Sequence, residues 1–216
     1  MYFKQPTTLD EMILSESNRI QLEIISKMKG FYLIHSNSTG SGKSLAAKLV
    51  AESISSTTLF IDASCTQSVK QIDNLDRKLA FRDLNNNIPV IVIDEIDKLN
   101  STKLQMISSA YNKFANKIDC IVIMTANSID KLPANLISRV NGIDFNHANN
   151  ENKVIEYIAN IVEKNSKNKA LNKNFLSIVS KILSASKGDI RKVLSYTEKF
   201  LITNEIDKNP LLTSGY

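Results

Sequence analysis

No segment of this 216-residue chain approaches the roughly 18 consecutive apolar residues of a membrane-spanning helix; its longest apolar runs are short, such as Pro89 to Ile93. A secretory leader is not evident either, because MYFKQPTTLDEMIL has no basic start, apolar centre or small-residue cleavage site. These absences predict a protein without a membrane partner, held in the cytoplasm, or in the host cytoplasm if the source is viral. Cysteine is scarce. Cys65 and Cys120 fall on separate predicted elements without metal-ligand spacing, and both are expected to be reduced packing residues. Only two histidines occur, His35 on a predicted buried strand and His147 at a predicted junction; neither has partners at ligand spacing, so both read as structural.

What is present is an average globular composition, 43% hydrophobic and 23% charged, in a chain long enough to bury a sizeable core. The net charge of +5 suits a phosphate-rich partner, and the Lys- and Asn-rich usage equally fits an AT-rich genome. Short apolar runs at 31–35, 59–62, 89–93 and 120–124 predict buried strands, with a fifth near 142–145. Between them, apolar spacings of three and four predict helices around 43–54, 67–83 and 101–115. Alternating strands and helices imply a mostly parallel five-stranded sheet covered on both faces, a three-layer αβα arrangement. After Phe145 only helical spacing remains, near 151–164, 173–184 and 188–202, which implies a small all-α domain. The expected division is 1–149 for the αβα domain, 150–204 for the helical one and 205–216 for a tail. Lys187, Gly188 and Asp189 stand at the predicted start of the last helix, where a turn glycine and a carboxylate are favoured.

Directly after the first predicted strand comes NSTGSGKS, with a helix following. Asn37, Ser38, Thr39, Gly40, Ser41, Gly42, Lys43 and Ser44 have the composition of a Walker A phosphate loop. Small residues let successive backbone N–H groups curl around anionic oxygens, Lys43 reaches the outer phosphates, and the Ser44 hydroxyl holds Mg²⁺. Asn37 stands where the pattern has glycine, and asparagine tolerates left-handed backbone angles better than most residues. The bland alternative is a Gly/Ser turn preceding a lysine. Further on, VIVIDE is an apolar strand ending in two carboxylates, the Walker B arrangement. Asp94 is the expected Mg²⁺ ligand and Glu95 the group that orients or deprotonates the attacking water; the alternative is an acidic strand cap. Two motifs in this order predict an Mg²⁺-dependent ATPase of the P-loop class, with no other metal.

Four more segments follow the order of a known family. FKQPTTLDEMIL lies at the N-terminus, CIVIMTAN ends in Asn127, LPANLISRV carries Ser138 and Arg139, and SKGDIRKVL carries Arg191. From Phe3 to Arg191 the chain resembles the AAA+ ATPases, and within them the clamp-loader subunits of tailed phages and of replication factor C. The resemblance implies that the N-terminal box lies over the adenine, with Met12 and Ile13 as contacts, although Lys4 and Gln5 depart from the family's KYRP pattern. It implies that Asn127 is sensor 1, that Arg139 is an arginine finger reaching a neighbouring subunit's ATP, and that Arg191 is sensor 2 of a helical lid. A turn asparagine, a helix-capping arginine and a solvated helix face are the respective structural alternatives.

The implied activity is that of an oligomeric machine loading a sliding clamp onto primed DNA, with other AAA+ subunits, primer-template DNA and the clamp as partners. DNA contact is expected to be independent of sequence. Thr66, Ser68 and Lys70 are the nearest candidates, with a polar helix start as an equal reading. The family's clamp loaders carry a C-terminal helical collar, and this chain ends about where a collar would begin. A collarless helicase loader or replication initiator, with a helicase as partner, therefore stays open, as does an ATP-gated scaffold on DNA or protein.

Overall fold

The computed structural model describes residues 3–55, 57–80, 88–114, 119–146, 151–165, 169–186, 188–203 and 205–206. His147, Lys187, the predicted 149/150 boundary, residue 115, the 81–83 end of the second predicted helix and 207–216 of the predicted tail lie outside them. By their internal contacts the residues form two compact units. One comprises Glu16–Asn37 and Lys43–Phe145; the other comprises Met1–Ser15, Ser38–Gly42 and Asn146–Tyr216.

In the first unit, helix α1 (Glu16–Lys27) precedes β1 (Gly30–His35), and α2 (Lys43–Ile54) precedes β2 (Leu59–Asp62). Short helices α3 (Thr66–Val69) and α4 (Leu75–Ala80) lead to β3 (Val90–Asp94). Then come α5 (Ser101–Phe114), β4 (Ile121–Ala126), α6 (Ala134–Ile137) and β5 (Asn141–Asp144). The five strands form one sheet in the order β2-β3-β4-β1-β5, and every neighbouring pair is parallel.

Continuous apolar runs produce this sheet because a parallel sheet is buried on both faces. Phe31 and Leu33 of β1, Ile91 and Ile93 of β3 and Val122 and Met124 of β4 share one cluster with Leu75 and Leu79 of α4 and Leu104 and Ile107 of α5. The alternate strand residues Ile34, Val92 and Ile123 are buried as well, and α2 contacts β1, β3 and β4. Removing a side chain of this size from water contributes about 1.5–3 kcal/mol, so the interior runs dominate the unit's stability.

Three expectations are corrected here. The strand at 59–62 is not buried throughout: as the edge strand β2 it buries Ile61, half-buries Leu59 and exposes Phe60 and Asp62. The single helix around 67–83 is instead α3, a tight 3-10 turn at Lys70–Asn74, and α4. Ile72, Asp73 and Asn74 interrupt it, since a β-branched residue and two side chains that compete for backbone hydrogen bonds are poor helix formers in succession. Asp73 and Asp76 instead pair with Lys103 and Lys113 of α5. Cys65 is not a packing residue: it is exposed just before α3, and hydrogen bonds from Ser68 and Gln67 hold its thiol below the ordinary range. Cys120 is buried, and desolvation pushes its thiol up to about 11.

The second unit is built from α7 (Glu151–Asn165), α8 (Lys169–Ala185) and α9 (Ile190–Thr203). Val154, Ile158 and Val162 recur every four residues on α7, and Val193, Tyr196, Thr197, Phe200 and Leu201 form one stripe of α9. These stripes meet Phe175, Val179, Ile182 and Leu183 of α8 in one cluster. Phe175 stacks on Phe200 with centroids 4.1 Å apart. The N-terminal segment belongs to the same cluster through Phe3, with Ile13 packed against it.

Candidate active site

Parallel strands bring all their C-terminal ends to one edge of a sheet, which is where open α/β folds bind ligands. Here β1 ends at His35 and runs into the Asn37–Ser44 loop, β3 ends at Asp94 with Glu95 next, and β4 ends at Ala126 with Asn127 next. The topology therefore brings the start of the phosphate loop, the acidic pair and Asn127 to the same edge.

Lys43 opens α2 and is only 5% exposed; its Nζ donates to Ser36 Oγ at 2.9 Å. Ser44, one residue on, is exposed. His35, half-buried beside them, is held below the usual imidazole range by desolvation, with Lys43 acting in the same direction and Asp144 opposing. This favours the neutral imidazole near pH 7.

Asp94 and Glu95 are joined to β4 through Thr125. The register that pairs Ile93 with Met124 places Thr125 beside Asp94, and its hydroxyl donates to Asp94 Oδ1. Thr125 Oγ1 in turn accepts the Glu95 backbone N–H at 2.9 Å. Glu95 has φ +56°, a left-handed conformation costly for a side chain with a Cβ, and the Thr125 bond holds it there. The Glu95 carboxylate in turn accepts from Asn127 Nδ2 at 3.4 Å on Oε1 and pairs with Lys98 on Oε2. Asn127 is fixed by its own N–H, which donates to Asp97 Oδ1 at 3.0 Å.

Thr125, Asp97 and Lys98 were not among the residues expected from sequence. The available signal was Thr125 itself, a polar residue inside an otherwise apolar strand and 1% exposed once folded. Replacing Thr125 by Val keeps the shape but leaves the Glu95 N–H without its acceptor. We expect a stability loss of about 1–3 kcal/mol in urea unfolding together with slower ATP turnover; unchanged values for both would contradict this assignment.

Arg139 stands apart. It is half-buried just after α6 and before β5, so it sits at the N-terminal edge of the sheet, whereas Glu95 sits at the C-terminal edge. Three strand spacings separate β3 from β5, about 14 Å at ordinary sheet geometry, in addition to the length of the strand. Within one copy of the chain the two side chains are not brought together.

In the second unit, Gly40 and Gly42 have φ of +67° and +89°, so the loop turns through conformations that glycine alone adopts without strain. Ser38 and Ser41 are buried and Thr39 is exposed. The Met12 side chain covers Gly42, since a Cβ there would lie 3.2 Å from Met12 Cε. Ile13 points into the helical cluster. Arg191 is exposed on the first turn of α9, and its Cβ would stand 3.1 Å from a Cβ on Gly40. Arg191 is thus beside the loop.

Residues 33–146 match the family described as ATPases associated with various cellular activities (AAA). The chain is similar to the sliding-clamp-loader large subunit of Enterobacteria phage T4, at 30% identity over 152 residues, 69% of this chain and 47% of that protein. It is also similar to the sliding-clamp-loader large subunit of Escherichia phage RB69, at 25% identity over 209 residues, 94% of this chain and 64% of that protein. The chain thus spans between about half and two thirds of the length of these relatives. Among solved structures a variant of Thermotoga maritima RuvB superposes with a TM-score of 0.61 at 17% identity, covering 95% of this chain and 70% of that one, a likeness of fold. With the matched region running from β1 through both acidic residues and Asn127 to the end of β5, this chain belongs to the AAA family of ATPases.

Proposed function

We propose that the chain is an ATP-hydrolysing subunit of an oligomeric DNA-replication machine that loads a sliding clamp onto primed DNA. The observation that carries the reading is the similarity to two phage clamp-loader large subunits, one of which extends over 94% of this chain. The separation of Arg139 from Glu95 supports the oligomer, because an arginine that does not reach its own site could act as a finger only on a neighbour's.

In this account Ser38–Gly42 and Lys43 hold the phosphates, Met12 and Ile13 contact the adenine, and Arg191 adds a second cation from the lid. Ser44 and Asp94 would hold Mg²⁺, and a hydroxyl and a carboxylate are the hard oxygen donors that this ion takes. Bound there, the ion would neutralise charge on the β- and γ-phosphates. Glu95 takes up or orients the attacking water's proton, with Asn127 fixing the carboxylate. Thr66, Ser68 and Lys70, on and after α3, are the proposed phosphate-backbone contacts; binding that weakens as salt rises is the expected signature.

Lys43→Ala is expected to raise the dissociation constant for ATP by about 10- to 100-fold, the loss of one or two charge-assisted hydrogen bonds. Calorimetry checks this, and unchanged affinity would contradict the phosphate-loop assignment. The partner is tested by purifying tagged Glu95→Gln protein from the native cell with ATP and Mg²⁺ and identifying what accompanies it. A sliding clamp with polymerase components is the expected outcome. A helicase without a clamp would replace this reading with helicase loading, and neither would favour a scaffold.

A further inference from the structure

Asp189, expected from sequence only as the carboxylate at the start of the last helix, is also the most confined acidic residue around the phosphate loop. It is 5% exposed, although its neighbours Arg191 and Thr39 are both exposed. Its position is fixed from behind: Gly188, with φ +86°, donates its N–H to Leu183 O at 2.8 Å, and the Asp189 N–H donates to Ser186 Oγ at 3.2 Å. The end of α8 thereby sets where the carboxylate lies.

From that position Asp189 faces two ways. Oδ1 accepts the Lys192 N–H at 3.2 Å, closing the first turn of α9, the turn that carries Arg191. Oδ2 accepts the Thr39 hydroxyl of the phosphate loop at 3.3 Å. A Cβ on Gly40 would fall 1.9 Å from Asp189 Oδ1 and 2.6 Å from its Cγ, so the carboxylate already fills the space beside that glycine. Gly40 is therefore required twice, for its backbone angle and for the room it leaves Asp189.

We propose that Asp189 is a positioning residue for nucleotide binding, clamping the Thr39–Gly40 turn of the phosphate loop to the first turn of α9 and so fixing Arg191 beside the bound phosphates. An ordinary helix cap would need only the Lys192 bond; the second bond, to Thr39, ties α9 to the loop. The inference rests on the ATPase reading and adds a residue to it.

The test is the affinity of a fluorescent ATP analogue with Mg²⁺ for the full chain, measured beside its thermal melting midpoint. Asp189→Ala is expected to weaken binding about tenfold, and Thr39→Val to weaken it in the same direction. The Asp189→Ala/Thr39→Val double variant should be no weaker than Asp189→Ala, and Asp189→Ala should add nothing in an Arg191→Ala background. Asp189→Asn, whose amide oxygen can accept the Lys192 N–H while its NH2 donates to the Thr39 hydroxyl oxygen, should stay within about twofold of wild type. A lowered melting midpoint with wild-type affinity would reduce Asp189 to a helix cap and overturn the proposal, as would additive effects of Asp189→Ala and Thr39→Val. Should Asp189→Ala fail to fold, wild-type affinity in Thr39→Val alone overturns it. Wild-type protein that bound no nucleotide would overturn the ATPase reading itself, a result distinct from all of these.

Discussion

Arg139→Ala is expected to bind ATP as wild type does and to lose at least about 10³-fold in turnover within the assembly, because an arginine supplied in trans contributes on the order of 10³ to 10⁵ in rate. The physical reason is charge: negative charge grows on a γ-phosphoryl group as it transfers, and an arginine beside it neutralises that charge. Arg139 lies at the opposite edge of its own sheet from Glu95, so any contribution it makes is to another copy or another subunit. Mixing gives a sharper form of this expectation. Assemblies of Arg139→Ala chains and of Glu95→Gln chains should each be inactive, and mixing the two should restore part of the phosphate release wherever an intact Arg139 meets an intact Glu95. No recovery on mixing, with both variants still assembling, would count against a finger in trans between copies of this chain. Full activity in Arg139→Ala would return the residue to a structural role.

Glu95→Gln should bind ATP normally and hydrolyse it about 10²- to 10⁴-fold more slowly, the range lost when a positioned general base is removed. Glu95 is held by three residues at once. Its backbone N–H is anchored to Thr125, Oε1 accepts from Asn127, and Oε2 pairs with Lys98, whose ammonium that hydrogen bond and charge hold above its ordinary range. The amide of Gln keeps the size and one acceptor, so the fold and the Asn127 contact should survive while the water loses its proton acceptor. Single-turnover phosphate release separates the two effects, and a turnover within tenfold of wild type would show that Glu95 is not the base.

The fold was legible because its three central strands are buried runs bounded by polar turns. FYLIH, VIVI and IVIM are buried as a covered parallel sheet requires, and helix α2 begins at Lys43, where the loop pattern places it; LFID of the edge strand β2 buries Ile61 and leaves Phe60 exposed. The break between α3 and α4 was not legible, since the apolar spacing through Val69, Ile72 and Leu75 reads as helical whether or not Asp73 and Asn74 tighten the middle turn. Motif residues stood out because their chemistry is unusual for their setting: two carboxylates at the end of an apolar strand, and glycines before a lysine. Thr125, Asp97 and Asp189 act through register and through contacts distant in sequence, whereas Lys98 reaches Glu95 from three positions on. Thr125 meets Asp94 across 31 positions, and Asp189 meets Thr39 across 150. Spacing along the chain carries no record of such pairs. The exposure of Cys65 was hidden for the same reason, because a short helix start looks alike in sequence whichever way its first side chain faces.

The most direct measurement is steady-state phosphate release by the purified chain with ATP and Mg²⁺, alone and then with primer-template DNA and the sliding clamp from the same source. The account predicts slow release alone, a clear rise when DNA and clamp are present together, and loss of that rise in Glu95→Gln. Hydrolysis indifferent to both additions, in protein that still binds ATP, would contradict clamp loading as the function of this chain.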